Sequence, residues 1–359
     1  MISSFLAFFA GSALAAFSGG FLLGRFPQTD VFGEAEDRAI LTLFAVLAFA
    51  AVPLFGFISD KLRDNGRFSA SAGLLLCALG LVFGASDASA AAVLCGTGFA
   101  AVLAGAGTDA LTQSKGFERT GFFLAAPVIG FALGKKIGTG GLIPVQYPVA
   151  LIVFAALAVF FLCRGKRETP APESGEKRFA GPRIFLAAIT FLSVFIISFV
   201  GFAAPAAEYE GRFAWLIPAA AAFAGCAAGG VAADIFGSKY SAPLALLVSA
   251  PLFYLGCSKF ILYAGALFFL SAAAAAVVRE SASIVPGFEG TSFGICTAAL
   301  LCGFLVSRVL TVPGDMTVGK IAVAILAAAS AAMIFIIFSL KNKQIQSTGG
   351  DTENGTEQA

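Results

Sequence analysis

Apolar runs long enough to cross a bilayer dominate the chain, Leu41–Phe57 and Ile321–Leu340 among them. Each can traverse about 30 Å of hydrocarbon as a helix of roughly 20 residues. Lipid offers no water to satisfy free backbone groups, so only helices and closed barrels span it. A barrel strand would alternate apolar and polar residues over about 10 positions, and these runs do not alternate. Composition agrees: of 359 residues, 58% are hydrophobic and 12% charged, where a soluble domain carries roughly 45–50% and 25%. The sequence specifies an all-α integral membrane protein.

Breaks at charges and Gly/Pro clusters mark about twelve spans, at 3–24, 38–59, 68–86, 89–111, 119–137, 144–163, 183–206, 213–235, 241–257, 260–279, 291–309 and 317–340. Ala13-Leu14-Ala15 has the form of a signal-peptidase site. No basic residue precedes that run, however, and it continues to Gly24, so the first span reads as retained. With both termini inside, only Arg25, Arg38, Lys135, Lys136, Arg212, Lys259, Arg308 and Lys320 fall outside, leaving 15 of the 23 Lys and Arg on the inner side. The positive-inside bias therefore predicts a multi-pass protein of the cell (inner) membrane with both termini cytoplasmic.

Several functions drop out. There is no histidine, which removes Ser–His and Cys–His hydrolysis, His-based zinc sites and His-ligated haem. A net charge of +2 gives no electrostatic case for nucleic acid. The seven cysteines form no CxxC pair and lie in or beside apolar runs, as small buried residues rather than a disulfide framework. No nucleophile with a base and no metal-ligand set is apparent, so neither an enzyme, a cofactor nor a metal is expected.

The segment Arg164–Arg183, RGKRETPAPESGEKRFAGPR, is charged, proline-bearing and close to the midpoint, the character of a semi-rigid linker. It suggests a six-helix bundle at 1–163, a cytoplasmic linker at 164–182 and a second six-helix bundle at 183–343. The polar remainder, 344–359, is expected to be disordered. The loops after the second and eighth spans support two related halves. The first carries Gly56, Asp60, Lys61, Gly66 and Arg67; the second carries Gly230, Asp234, Gly237 and Lys239. Both read Gly-x-x-x-Asp followed by a glycine and a base, with the aspartates 174 positions apart (234 − 60), close to half the chain. Such a repeat marks a transporter built from two similar bundles.

Gly56–Arg67 resembles the G-x-x-x-D-[RK]-x-x-G-[RK] signature between helices two and three of the major facilitator superfamily, with one extra residue between Asp60 and Gly66. The resemblance implies two pseudo-symmetric six-helix bundles and transport by alternating access. It also implies that helix eleven, here beginning Gly290-Thr291-Ser292, starts near the loop. A helix N-terminus attracts a carboxylate, so Asp60 is expected to latch the halves together, steered by Lys61 and Arg67. By pseudosymmetry Asp234 would face the start of helix five near Thr120. Helix five, with Ala126-Pro127 followed by Gly130 and Gly134, partly matches an exporter signature of that superfamily. Its physical content is a proline kink beside a small-residue face.

Charges near the bilayer centre are costly and functional, and none is found at mid-depth. Asp109, about a turn inside the cytoplasmic end of the fourth span, lies nearest and is the candidate coupling site. The centre is otherwise phenylalanine, alanine, glycine and hydroxyls: Ser18, Thr97, Ser193, Ser198, Ser271 and Thr297 are the candidate cavity contacts. This lining suits an uncharged or amphipathic organic solute, because a phosphate or dicarboxylate would want Arg or Lys at depth. The expected function is a secondary active transporter of a small organic solute, with protons as the candidate coupling ion. A passive facilitator and a non-transporting scaffold or sensor are the alternatives. The expected partners are solute, protons and lipid, with the protein a monomer.

Overall fold

The computed structural model describes residues 2–25, 34–62, 66–84, 86–112, 116–141, 143–163, 181–204, 213–256, 259–284, 287–309 and 316–353. They form helices, with no strand among them. In order these are α1 (Ile2–Arg25), α2 (Glu34–Ala50), α3 (Val52–Leu62), α4 (Arg67–Phe83), α5 (Ala88–Thr112), α6 (Glu118–Gly140) and α7 (Gln146–Leu162). The second half comprises α8 (Gly181–Ala203), α9 (Leu216–Phe236), α10 (Ser238–Gly256), α11 (Phe260–Ala282), α12 (Glu289–Val309) and α13 (Met316–Glu353). Among the described residues nine segments are long and apolar enough to cross a membrane, and α4 and α7 are shorter apolar helices. The expected linker lies almost wholly outside the described residues.

Two expectations need correction. The second span is not one helix over 38–59: it breaks at Ala51 into α2 and α3. Pro53 is the cause, because it has no N–H to donate and its ring opposes the carbonyl four residues back. The ladder resumes where Phe55 N–H reaches the Ala51 carbonyl at 3.1 Å. At the other end, α13 runs from Met316 to Glu353, past the expected end of the last span at 340. The extension contains no proline to stop it.

The helix pairings of the first half recur in the second. α1 packs on α6 as α8 packs on α12; α4 on α5 as α10 on α11; α2 on α5 as α9 on α11; α4 on α7 as α10 on α13. These are two pseudo-symmetric six-helix bundles. Between them the principal seams are α3 with α12 and α6 with α9.

Glycine sets the closest approaches. A Cβ at Gly130, Gly134 or Gly138 of α6 would overlap the carbonyl oxygens of Ala13, Phe17 and Phe21 on α1. Without side chains at this four-residue spacing, the two backbones meet directly, as membrane helices with small faces do. Nearer its start, α6 turns to the other bundle: a Cβ at Gly121 would overlap the Cys226 carbonyl of α9. Pro127 lies between these two contacts.

Candidate functional site

Asp60 lies two residues from the end of α3, where its own helix dipole disfavours a negative charge. It is nevertheless only 7% exposed. The compensation comes from the opposite bundle. Its Oδ1 accepts the Gly290 N–H at 3.0 Å, and its Oδ2 accepts the Thr291 N–H at 2.8 Å and the Thr291 hydroxyl at 2.9 Å. These are first-turn donors of α12, which lack partners within their own helix. Glycine makes the approach possible. A Cβ at Gly56, one turn before Asp60, would overlap the Gly290 carbonyl, and one at Gly290 would overlap the Thr108 hydroxyl of α5.

The pseudo-repeat places Asp234, near the end of α9, against the start of α6. Its Oδ1 accepts the Phe117 N–H and its Oδ2 the Glu118 N–H, both at 2.8 Å. Thr120 is buried one turn further in. A Cβ at Gly230 would come within 2.7 Å of the Phe117 carbonyl. Asp234 itself is exposed. Gly66 and Gly237 each stand immediately before the following helix with φ of 72° and 82°, a left-handed conformation that side chains disfavour.

The motif cations sit on aromatic rings. Lys61 lies 4.8 Å from the Phe57 centroid. Arg67 lies 4.7 Å from that of Phe68 and 5.7 Å from that of Phe160, and Lys239 lies 5.4 Å from Tyr240 and from Phe335. Asp109 is 3% exposed, and it and Arg67 are both within electrostatic range of Cys163. It adjoins Thr108, the residue against Gly290, so it belongs to the level of the Asp60 contact.

Of the six candidate cavity hydroxyls, four bond to backbone carbonyls. Ser18 donates to Ala15 at 2.7 Å, Ser193 to Ile189 at 2.9 Å and Thr297 to Gly294 at 2.7 Å, while Ser198 reaches Leu300 on α12 at 2.6 Å. Ser18 also lies within hydrogen-bonding reach of Cys77 and Cys95, on the α4–α5 seam inside the first bundle. Serine in a membrane helix commonly bonds in this way. Thr97 and Ser271 are half-buried on α5 and α11.

Sequence reasoning missed two parts of this face. Phe123 of α6 and Phe293 of α12 pack ring to ring at 5.6 Å, and Phe293 rests over Gly107 of α5, where a Cβ would lie 2.8 Å from the ring. This apolar contact joins the bundles just inside the two aspartates. Arg279, near the end of α11, lies within electrostatic range of Asp234 and of its own neighbour Glu280. Their pairing at the end of an apolar span was visible in the sequence, but their neighbours were not.

The two bundles meet through mirrored carboxylate-to-helix contacts, and the chain has the fold of solved major facilitator superfamily structures. It is similar to the solved structure of the transporter FucP in the outward conformation, with a TM-score of 0.66, 13% identity and coverage of 93% of this chain and 97% of that one. A variant of the E. coli fucose:proton symporter FucP is similar at a TM-score of 0.67 and 14% identity, again over 93% and 97%. No family model and no curated protein matches the sequence.

Proposed function

We propose that this protein is a secondary active transporter that moves a small, uncharged organic solute across the cell membrane by alternating access. The observation that carries the reading is the pair of inter-bundle carboxylate contacts on one face, Asp60 on α12 and Asp234 on α6. By the Lys/Arg bias that face is cytoplasmic, and together with the Phe123–Phe293 contact it forms the closed inner gate. Release of both aspartates would turn the chain inward. The resemblance in fold to a fucose:proton symporter makes fucose the first solute to test, and proton coupling the first mode. Asp109, buried beside the residue that touches α12, is the group we assign to the coupled proton. A proton there acts on the gate rather than on the solute.

The test is uptake into proteoliposomes, with and without an inward proton gradient, of fucose and other neutral solutes. Gradient-driven accumulation supports the reading. Equilibration that ignores the gradient would make the chain a passive facilitator, which the lack of ionisable residues at mid-depth favours as the second reading. Asp109→Asn is expected to abolish accumulation while preserving solute exchange, and loss of both together would remove Asp109 from the coupling role. The termini are tested separately. A reporter that is active only outside the cytoplasm, fused after residue 359, is expected to stay silent, and strong activity would reverse the orientation.

A further inference from the structure

The two inter-bundle seams are closed by contacts of different kinds. Asp60 is nearly buried and held by three donors, whereas Asp234 is exposed and held by two backbone donors. The cations differ as well. Arg67 stacks on Phe68 and Phe160, which belong to its own bundle. Arg279 belongs to the second bundle but stacks on Phe117 of the first, its guanidinium carbon 5.6 Å from the ring centroid. Phe117 is the residue whose N–H binds Asp234. Arg279 lies within electrostatic range of both Asp234 and Glu280. Glu280 in turn accepts the Ser238 hydroxyl at 2.5 Å, which ties the end of α11 to the start of α10. A single cation therefore faces both sides of the α6–α9 contact.

We infer that Arg279 is a positioning residue that clamps Phe117 against Asp234 across the bundle interface, and that this makes the α6–α9 seam a salt-sensitive closure that loosens before the desolvated α3–α12 seam. Exposed charges are screened over about 10 Å at 0.1 M salt and about 3 Å at 1 M, and buried ones far less. A guanidinium over a ring face adds attraction in the same place. The inference rests on the reading of this face as a gate.

The experiment uses the full chain, with its seven cysteines replaced, in lipid nanodiscs. Two single-cysteine reporters are introduced at positions that are fully buried when the face is closed: Ser59→Cys beside Asp60, and Thr120→Cys in the first turn of α6. The probe is N-ethylmaleimide, a neutral thiol reagent. Raising NaCl from about 20 mM to about 0.5 M is expected to speed labelling at position 120 about two- to fivefold, the range of exposed ionic contacts. Labelling at position 59 should change by much less. Phe117→Leu keeps the backbone donor and removes the ring. It and Arg279→Gln should each accelerate labelling at position 120 alone, and the double variant should label no faster than either single one. Arg279→Lys, the conservative change, should fall between wild type and Arg279→Gln. Equal salt responses at the two reporters overturn the inference, as do additive effects of Phe117→Leu and Arg279→Gln. If Asp60→Asn and Asp234→Asn both leave the two reporters protected, the gate reading itself has failed.

Discussion

Valine at position 56 is expected to force the cytoplasmic face open. Any Cβ there would overlap the carbonyl of Gly290, and the next atoms met are the Gly290 carbonyl carbon at 2.5 Å and the Thr291 nitrogen at 3.0 Å. All of these are backbone, so no side chain can rotate away. The only relief is separation of α3 from α12. Overpacking a well-fitted contact costs about 1–3 kcal/mol, and here the whole penalty falls on the closed state. Separation also lengthens the three hydrogen bonds to Asp60, which together hold a charge in a nearly buried place. A shift of roughly 3 kcal/mol or more moves a two-state equilibrium over a hundredfold. Gly56→Val should therefore keep its helical content yet label rapidly at a Thr108→Cys reporter, buried in the closed state. A protected reporter in a folded Gly56→Val protein would show that α3 and α12 do not gate.

Asp60→Asn should act in the same direction and nearly as far. Both carboxylate oxygens accept backbone N–H groups, at 3.0 Å from Gly290 and 2.8 Å from Thr291. Asparagine offers one oxygen and one NH₂, so one helix N–H would face another donor. The variant loses the charge–dipole attraction, worth up to about 2 kcal/mol in a partly buried setting, and leaves a buried donor unsatisfied at roughly 1–3 kcal/mol. An inward shift of at least about 30-fold is expected, read as labelling at the same reporter, with solute transport reduced while the fold persists. Asp234→Asn makes the contrast: its carboxylate is exposed, so the change should be several-fold smaller. An equal response at the two positions would mean that burial does not set the strength of the contact.

These two aspartates were legible in the sequence because the information is local. A glycine, three residues and a carboxylate at a helix end mark a charge that its own helix does not favour, and the recurrence 174 positions later (234 − 60) marks its twin. The apolar runs gave the spans for the same reason. What stayed hidden depends on contacts between distant segments. Nothing near Phe117 or Arg279 announces that one will stack on the other, 162 positions away (279 − 117). Nor does anything near Phe293 announce Gly107. The bonding of the hydroxyls was hidden in a different way. Ser18 and Ser193 sit on spans expected to line the cavity, but each bonds a carbonyl one turn back, a choice set by the rotamer and not by the residue type. Pro53 was in view throughout, and its local rule still decided against one continuous helix.

The prolines of the interface helices are unevenly shared. On the first-bundle side, Pro53 breaks the second span and Pro127 lies within α6, between its contact with α9 and its glycine stripe on α1. On the second-bundle side, α12 has no proline and that of α9, Pro218, falls in its first turn, where the missing N–H interrupts no ladder bond. Compliance at the two principal seams is thus concentrated on the first-bundle side, while the helix-interior prolines of the second bundle, Pro243 and Pro251, lie on α10 away from those seams. Under the alternating access proposed above, the seam helices of the second bundle would act as straight struts while those of the first bend at two defined joints, a flexible jaw closing on a rigid one.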